Sequence, residues 1–182
     1  NQDMIGSIAG RMQGTVENCV SYATVYGKNY AGGIIGMQGT NACKLIVENC
    51  LAGGEISANS YAGGINGGFA WATRGQTLTV TNCISLCAVA DIRTDADTDG
   101  GVFGNHAANP TVSNVFFAND NNQGPAGNKA SMNGITGMSY EALTSLTDAD
   151  LKAAGLTDWA IVEKVPFPKS LIDMFDVSYS DE

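Results

Sequence analysis

The chain has 182 residues, enough for one domain or one domain with a small appendage. It is 44% hydrophobic and 15% charged, so it can bury a core; its 23 glycines follow no strict every-third period, which excludes collagen. The net charge of −9 argues against a nucleic-acid partner, and no apolar run approaches the roughly 18 residues of a membrane helix.

In chain order, the first element is Ile5-Gly6-Ser7-Ile8-Ala9-Gly10, followed by Val16-Glu17-Asn18-Cys19. The same two-part unit returns as Tyr30-Ala31-Gly32-Gly33-Ile34-Ile35-Gly36 with Val47-Glu48-Asn49-Cys50. A third copy is Tyr61-Ala62-Gly63-Gly64-Ile65-Asn66-Gly67 with Val80-Thr81-Asn82-Cys83. The fourth is Asp99-Gly100-Gly101-Val102-Phe103-Gly104 with Val112-Ser113-Asn114-Val115. The four asparagines are 31, 33 and 32 residues apart. Two co-registered motifs at one period are the signature of a solenoid.

The constant segments are short, rich in β-branched residues and alternating, which predicts strands. No Ala/Leu-rich helix of ten or more residues fits between the glycines, so helical solenoids are excluded. The expected fold is an all-β solenoid, a parallel β-helix of about four coils stacked at about 4.8 Å. Glycine pairs then mark corners or close backbone approach. Asn18, Asn49, Asn82 and Asn114 are expected to form a structural ladder, each amide bonding the next coil, with independent turn asparagines as the alternative.

Composition breaks near residue 137. Residues 1–90 are neutral, 138–182 carry nine acids and three bases, and only Gly155 lies beyond Gly137. The expected division is therefore 1–137 as β-helix repeats and 138–182 as a small α-containing C-terminal cap on the last coil. Ser139 and Thr147 are candidate N-caps for two short helices, and Gly155 is a helix stop. Trp159, Ile161 and Val162 supply apolar surface, and Pro166-Phe167-Pro168 blocks further helix. Asn1 opens the sequence without a signal peptide, and four coils are short for a β-helix, so further coils ahead of Asn1 are an expectation.

The pattern Gly-Gly-Ile-x-Gly, a loop, then Val-x-Asn-Cys resembles the GLUG-type repeat of bacterial cell-surface proteins, including adhesin-like and immunoglobulin A protease-like ones. The resemblance covers about residues 5–118; the first copy lacks the glycine pair and the fourth lacks Cys. It implies a secreted, surface-displayed, right-handed β-helix, bacterial in origin, whose signal and anchor lie outside this chain. It implies no catalytic residues.

Cys19, Cys50 and Cys83 share one repeat position, which Val115 fills in the fourth copy. A position that accepts Val is read as an interior apolar row of free thiols. Cys43–Cys50 or Cys83–Cys87 bridges are the alternative. No paired-cysteine spacing and a single histidine argue against zinc.

Three loops carry candidate chemistry. Phe69 and Trp71, with Arg74 beside them, form a candidate sugar-binding loop: rings stack on a pyranose while the guanidinium pairs a carboxylate or hydroxyl. Asp95, Asp97 and Asp99, ahead of Gly100, match the first half of a calcium loop, whose twelfth position is here His106 instead of Glu. The bland readings are aromatics folded over the coil and a solvated acidic loop. His106 lies near Asn105 and Asn109, without a nucleophile pattern around it.

The expected function is non-enzymatic: an extracellular surface module for adhesion, binding a host glycan, a glycoprotein or another surface protein. No cofactor is expected apart from calcium at the aspartates, and neither nucleic acid nor a membrane span. The rivals are a carbohydrate-active β-helix enzyme of lyase or hydrolase type, and a structural spacer of a larger surface protein.

Overall fold

The computed structural model describes residues 3–39, 42–68, 75–91, 98–104, 110–120, 124–127 and 129–175. Among the described residues the molecule is mostly β, with parallel strands in curled, stacked sheets and three short helices.

The repeats seen in the sequence pair with one another in register. Met4–Gly6, Tyr30–Gly32, Tyr61–Gly63 and Asp99–Gly100 form one parallel sheet, so Gly6, Gly32, Gly63 and Gly100 stand in one column. Gly14–Glu17, Lys44–Glu48, Thr77–Asp91, Thr111–Ala118 and Ile135–Met138 build a second parallel ladder. A side chain therefore meets its own repeat equivalent above and below, and Val16, Val47, Val80 and Val112 form one row.

The asparagines explain how the second ladder turns. Asn18, Asn49, Asn82 and Asn114 all have φ between 50° and 53°, in the left-handed region that Asn tolerates better than most residues. Each lies between two strand stretches and resets the inward alternation. Leu78 and Val80 are buried before Asn82, and Cys83, Ser85, Cys87 and Val89 after it. The interstrand amide bond is present between Asn114 Nδ2 and Asn82 Oδ1, at 3.0 Å, whereas Asn49 Oδ1 is buried with no partner. What all four share is the backbone bend.

The glycine corners are set by space. None of Gly32, Gly63 and Gly100 has positive φ, but a Cβ on any of them would run into the carbonyl oxygen three residues on: Ile35, Asn66 and Phe103 respectively. The corner this makes has its own hydrogen-bond pattern. The N–H groups of Ile34 and Ile35 both donate to the Ile65 carbonyl, at 3.1 and 2.9 Å; those of Ile65 and Asn66 both donate to Val102, at 2.9 and 3.0 Å.

The same pattern shows a fifth layer absent from the four-copy reading. Val102 and Phe103 N–H donate to the Pro125 carbonyl at 3.0 and 2.9 Å, which places Gly124-Pro125-Ala126-Gly127 in the corner position. In the second ladder Val115 pairs with Ile135, and Val115 N–H donates to Gly134. Gly134, at φ 80°, fills the place of the asparagines. Asn and Gly are the two residue types that reach this conformation most readily.

The interior holds Leu45, Val47, Ile56, Ile65, Val80, Val102 and Phe103, all fully buried. Cys50 and Cys83 join them in the row that continues to Val115, and all five cysteines are free thiols.

Residues 139–175 follow the local rules read from the sequence. Helix α1 (Tyr140–Thr144) is capped by Ser139, whose Oγ accepts from Ala142 N–H at 3.1 Å. Helix α2 (Asp148–Ala153) starts with a capping box between Thr147 and Asp150, and Gly155 has φ 81° just after it. Trp159–Val162 and Val165–Pro168 pair antiparallel, and helix α3 (Lys169–Phe175) starts directly after Pro168. The placement of this segment differs from a cover on the last repeat. Leu143, Leu151, Leu156 and Trp159 pack against Leu51, Ile84 and Leu86 on the outer flank of the second ladder, across several repeats. That outward row is apolar because it is covered, and the covering is what keeps Leu51 and Ile84 fully buried.

Candidate functional site

Where α1 meets the flank, a cleft of about 370 Å³ is lined by Gly54, Glu55, Leu86, Cys87, Ala88, Ala118, Asp120 and Tyr140. Its floor is open because the repeats there carry almost no outward side chain. Gly53 and Gly54 lie within the strand Leu51–Ala58, and Gly54 has φ 92°. The Tyr22 ring fills the space over Gly53, where a Cβ would strike it.

The wall opposite is α1. Its first residue, Tyr140, is 47% exposed, and its N–H donates to Asp120 Oδ2 at 2.8 Å, which ties the helix start to the end of Thr111–Ala118. Tyr22 stands close by; burial, with the neighbouring Tyr140 and Cys87, pushes its phenol up to about 12. The thiol of Cys87 points away from the cleft, toward the Gly64 carbonyl at 3.5 Å, and burial raises it to about 12. The cleft thus combines the half-exposed Tyr140 phenol, the Leu86 side chain and two carboxylates, with the Tyr22 ring nearby. Aromatic faces suit the C–H face of a sugar ring, and carboxylates accept its hydroxyls.

A second hollow of about 280 Å³ lies among Asp148, Lys152, Trp159 and Lys169. Two of its polar groups are spent on the fold, whereas Trp159 Nε1 is buried without a partner. Asp148 Oδ1 accepts from Ile161 N–H at 2.9 Å, and Lys169 Nζ donates to the Thr157 carbonyl at 3.0 Å.

Phe69, Trp71 and Arg74 are outside the described residues, as are Asp95, Asp97 and His106. Asp99 is described, half-buried in the short strand that pairs with Ala62–Gly63. Among the described residues no group of three His, Cys, Asp or Glu side chains is placed to hold a metal. The sequence reading missed the cleft, because Glu55, Asp120 and Tyr140 are far apart in the chain and none belongs to a motif. The Gly53-Gly54 pair, outside the repeated glycine corner, was the available signal.

No family model and no curated protein matches the sequence. A crystal structure of a protein from Bacteroides ovatus, described as a "putative immunoglobulin A1 protease", is similar over 90% of this chain at a TM-score of 0.66 and 21% identity. This chain spans 52% of that one. At this identity the likeness is one of fold.

Proposed function

We propose that this chain is the repeat-bearing part of a bacterial extracellular surface protein, without catalytic activity, and that it binds a glycan or glycoprotein in the flank cleft. The observation that carries the reading is the cleft itself: Tyr140 with Glu55 and Asp120, over a floor of small residues. The fold shared with the Bacteroides protein supports the surface setting. On this reading the 31–33-residue spacing belongs to GLUG-type repeats, and residues 1–137 wind as a right-handed parallel β-helix flanked by 138–182.

The enzyme reading draws on the same two carboxylates, since glycoside hydrolysis uses such a pair. Against it, Asp120 already accepts the Tyr140 N–H and so serves to position α1.

The test is a glycan and mucin-glycoprotein array, with and without calcium, on wild type, Tyr140→Ala and Trp71→Ala. Binding lost at least about tenfold in Tyr140→Ala, and kept in Trp71→Ala, is the expected result. Loss in Trp71→Ala alone moves the site to residues 68–75. Loss on chelation alone assigns Asp95, Asp97 and Asp99 to calcium. Sugar release without retention favours the enzyme, and no binding under any condition leaves the spacer.

A further inference from the structure

The second hollow, among α2, the strand Trp159–Val162 and the start of α3, holds more hydrogen-bond donors than the fold uses. Residues 138–182 carry nine acids and only three bases, Lys152, Lys164 and Lys169, yet two of the three bases line this one hollow. Lys152, in the last turn of α2, makes no side-chain hydrogen bond or ion pair among the described residues. Asp148, one turn earlier on the same helix, is engaged by the Ile161 N–H instead. Lys169 donates to the Thr157 carbonyl, which uses one of the three N–H groups of its ammonium. Trp159, which also lines the hollow, is 2% exposed, and its Nε1–H is buried with no acceptor. A buried donor left unpaired is costly, and the Leu156 and Ala160 side chains beside it in the lining are apolar.

We propose that this hollow is a binding site for a small organic carboxylate. The two ammonium groups supply charge for the anion, and Trp159 supplies an apolar ring and an unpaired N–H. A carbon-bearing acid fits better than an inorganic ion, because Leu156, Ala160 and the indole offer apolar surface that a fully hydrated ion leaves unused. The remaining oxygen of Asp148 repels a second negative charge, which favours a monoanion over a dianion. A volume of about 280 Å³ takes roughly nine non-hydrogen atoms at the ~30 Å³ a water claims in the liquid, so the occupant is one sugar acid or a short aliphatic acid and not a chain. The hollow shares no lining residue with the flank cleft, so this site stands whether or not the cleft binds a glycan.

The indole N–H signal of Trp159 in proton–nitrogen NMR spectra reads the site directly; it is told apart from that of Trp71 by its persistence in Trp71→Phe. Sodium glucuronate and sodium butyrate carry the shared carboxylate on a sugar ring and on an aliphatic stem. At least one of them should shift the signal saturably, and the tighter of the two tells which body the apolar lining selects. Glucose, and sodium sulfate at matched ionic strength, should leave the signal in place. Lys152→Met should raise the Kd of the carboxylate at least about tenfold, and Lys152→Arg should hold it within about threefold of wild type. No saturable shift with either carboxylate would overturn the proposal. So would an equal response to glucose or sulfate, or the same Kd in Lys152→Met as in wild type.

Discussion

At the residue scale, the bend of the second ladder depends on one backbone conformation. Asn18, Asn49, Asn82, Asn114 and Gly134 all supply it, and only Asn114 and Asn82 are joined by an amide bond. Asn49→Gly should therefore leave stability within a few tenths of a kcal/mol, because glycine reaches this region freely and Asn49 Oδ1 has no partner to lose. Asn49→Ala should cost about 1–2 kcal/mol in urea unfolding, the strain of a left-handed Cβ. Alkaline pH tests a second residue-scale feature. Cys87 and Tyr22, both raised to about 12, hold their protons more tightly folded than unfolded. Their contribution is complete below the unfolded pKa and is lost as pH rises, from about 9 to 12 for the thiol and from about 10 to 12 for the phenol. Thermal scans should show falling stability across that window, and Cys87→Val should flatten the part that begins near pH 9. The period of the asparagines was plain in the sequence. The direction of each amide was not, because it depends on side-chain torsions that a repeat does not encode.

At the element scale, the glycine corner is a packing requirement. Gly63→Ala would drive a Cβ into the Asn66 carbonyl and the Gly104 N–H of the next repeat, both backbone atoms with nowhere to move. It should destabilise by about 3 kcal/mol or more, seen as lost native circular dichroism or a large drop in Tm. The corner glycines were legible because a fixed spacing betrayed them. The fifth layer was not: Gly124-Pro125-Ala126-Gly127 follows the fourth corner by 23 residues, and Gly134 replaces Asn. A shortened loop and a swapped residue type hide a layer whose backbone role is unchanged. The helices of 139–175 were legible through their caps, since Ser139 and the Thr147/Asp150 box are local signals. Where that segment sits was not local. An outward row of Val20, Leu51, Ile84 and Phe116 asks for a cover, and it becomes visible only once the register is known. Leu151→Ala should cost about 2–5 kcal/mol and loosen 139–175 ahead of the repeats, which hydrogen exchange would resolve.

At the scale of the whole molecule, one surface follows from how the repeats stack. Small residues on the flank leave a cleft beside α1. The cleft combines residues from the second, third and fourth repeats with Tyr140. No single sequence segment holds the site, and that is why sequence reasoning turned to the loops at 68–75 and 95–100 instead. A rigid parallel stack suits such a site, because its floor is pinned by backbone hydrogen bonds between neighbouring repeats and its α1 wall by the Asp120 carboxylate.

All of this rests on parallel pairing between residues about 31 positions apart. Scalar couplings across backbone hydrogen bonds, measured by NMR on uniformly labelled protein, report that pairing atom by atom. Couplings are predicted from Asn18 N to the Glu48 carbonyl carbon, from Asn49 N to Thr81, and from Ile65 N to Val102. Couplings that instead join sequence-adjacent strands of residues 3–118, as antiparallel hairpins require, would contradict the stacked repeat and with it the cleft.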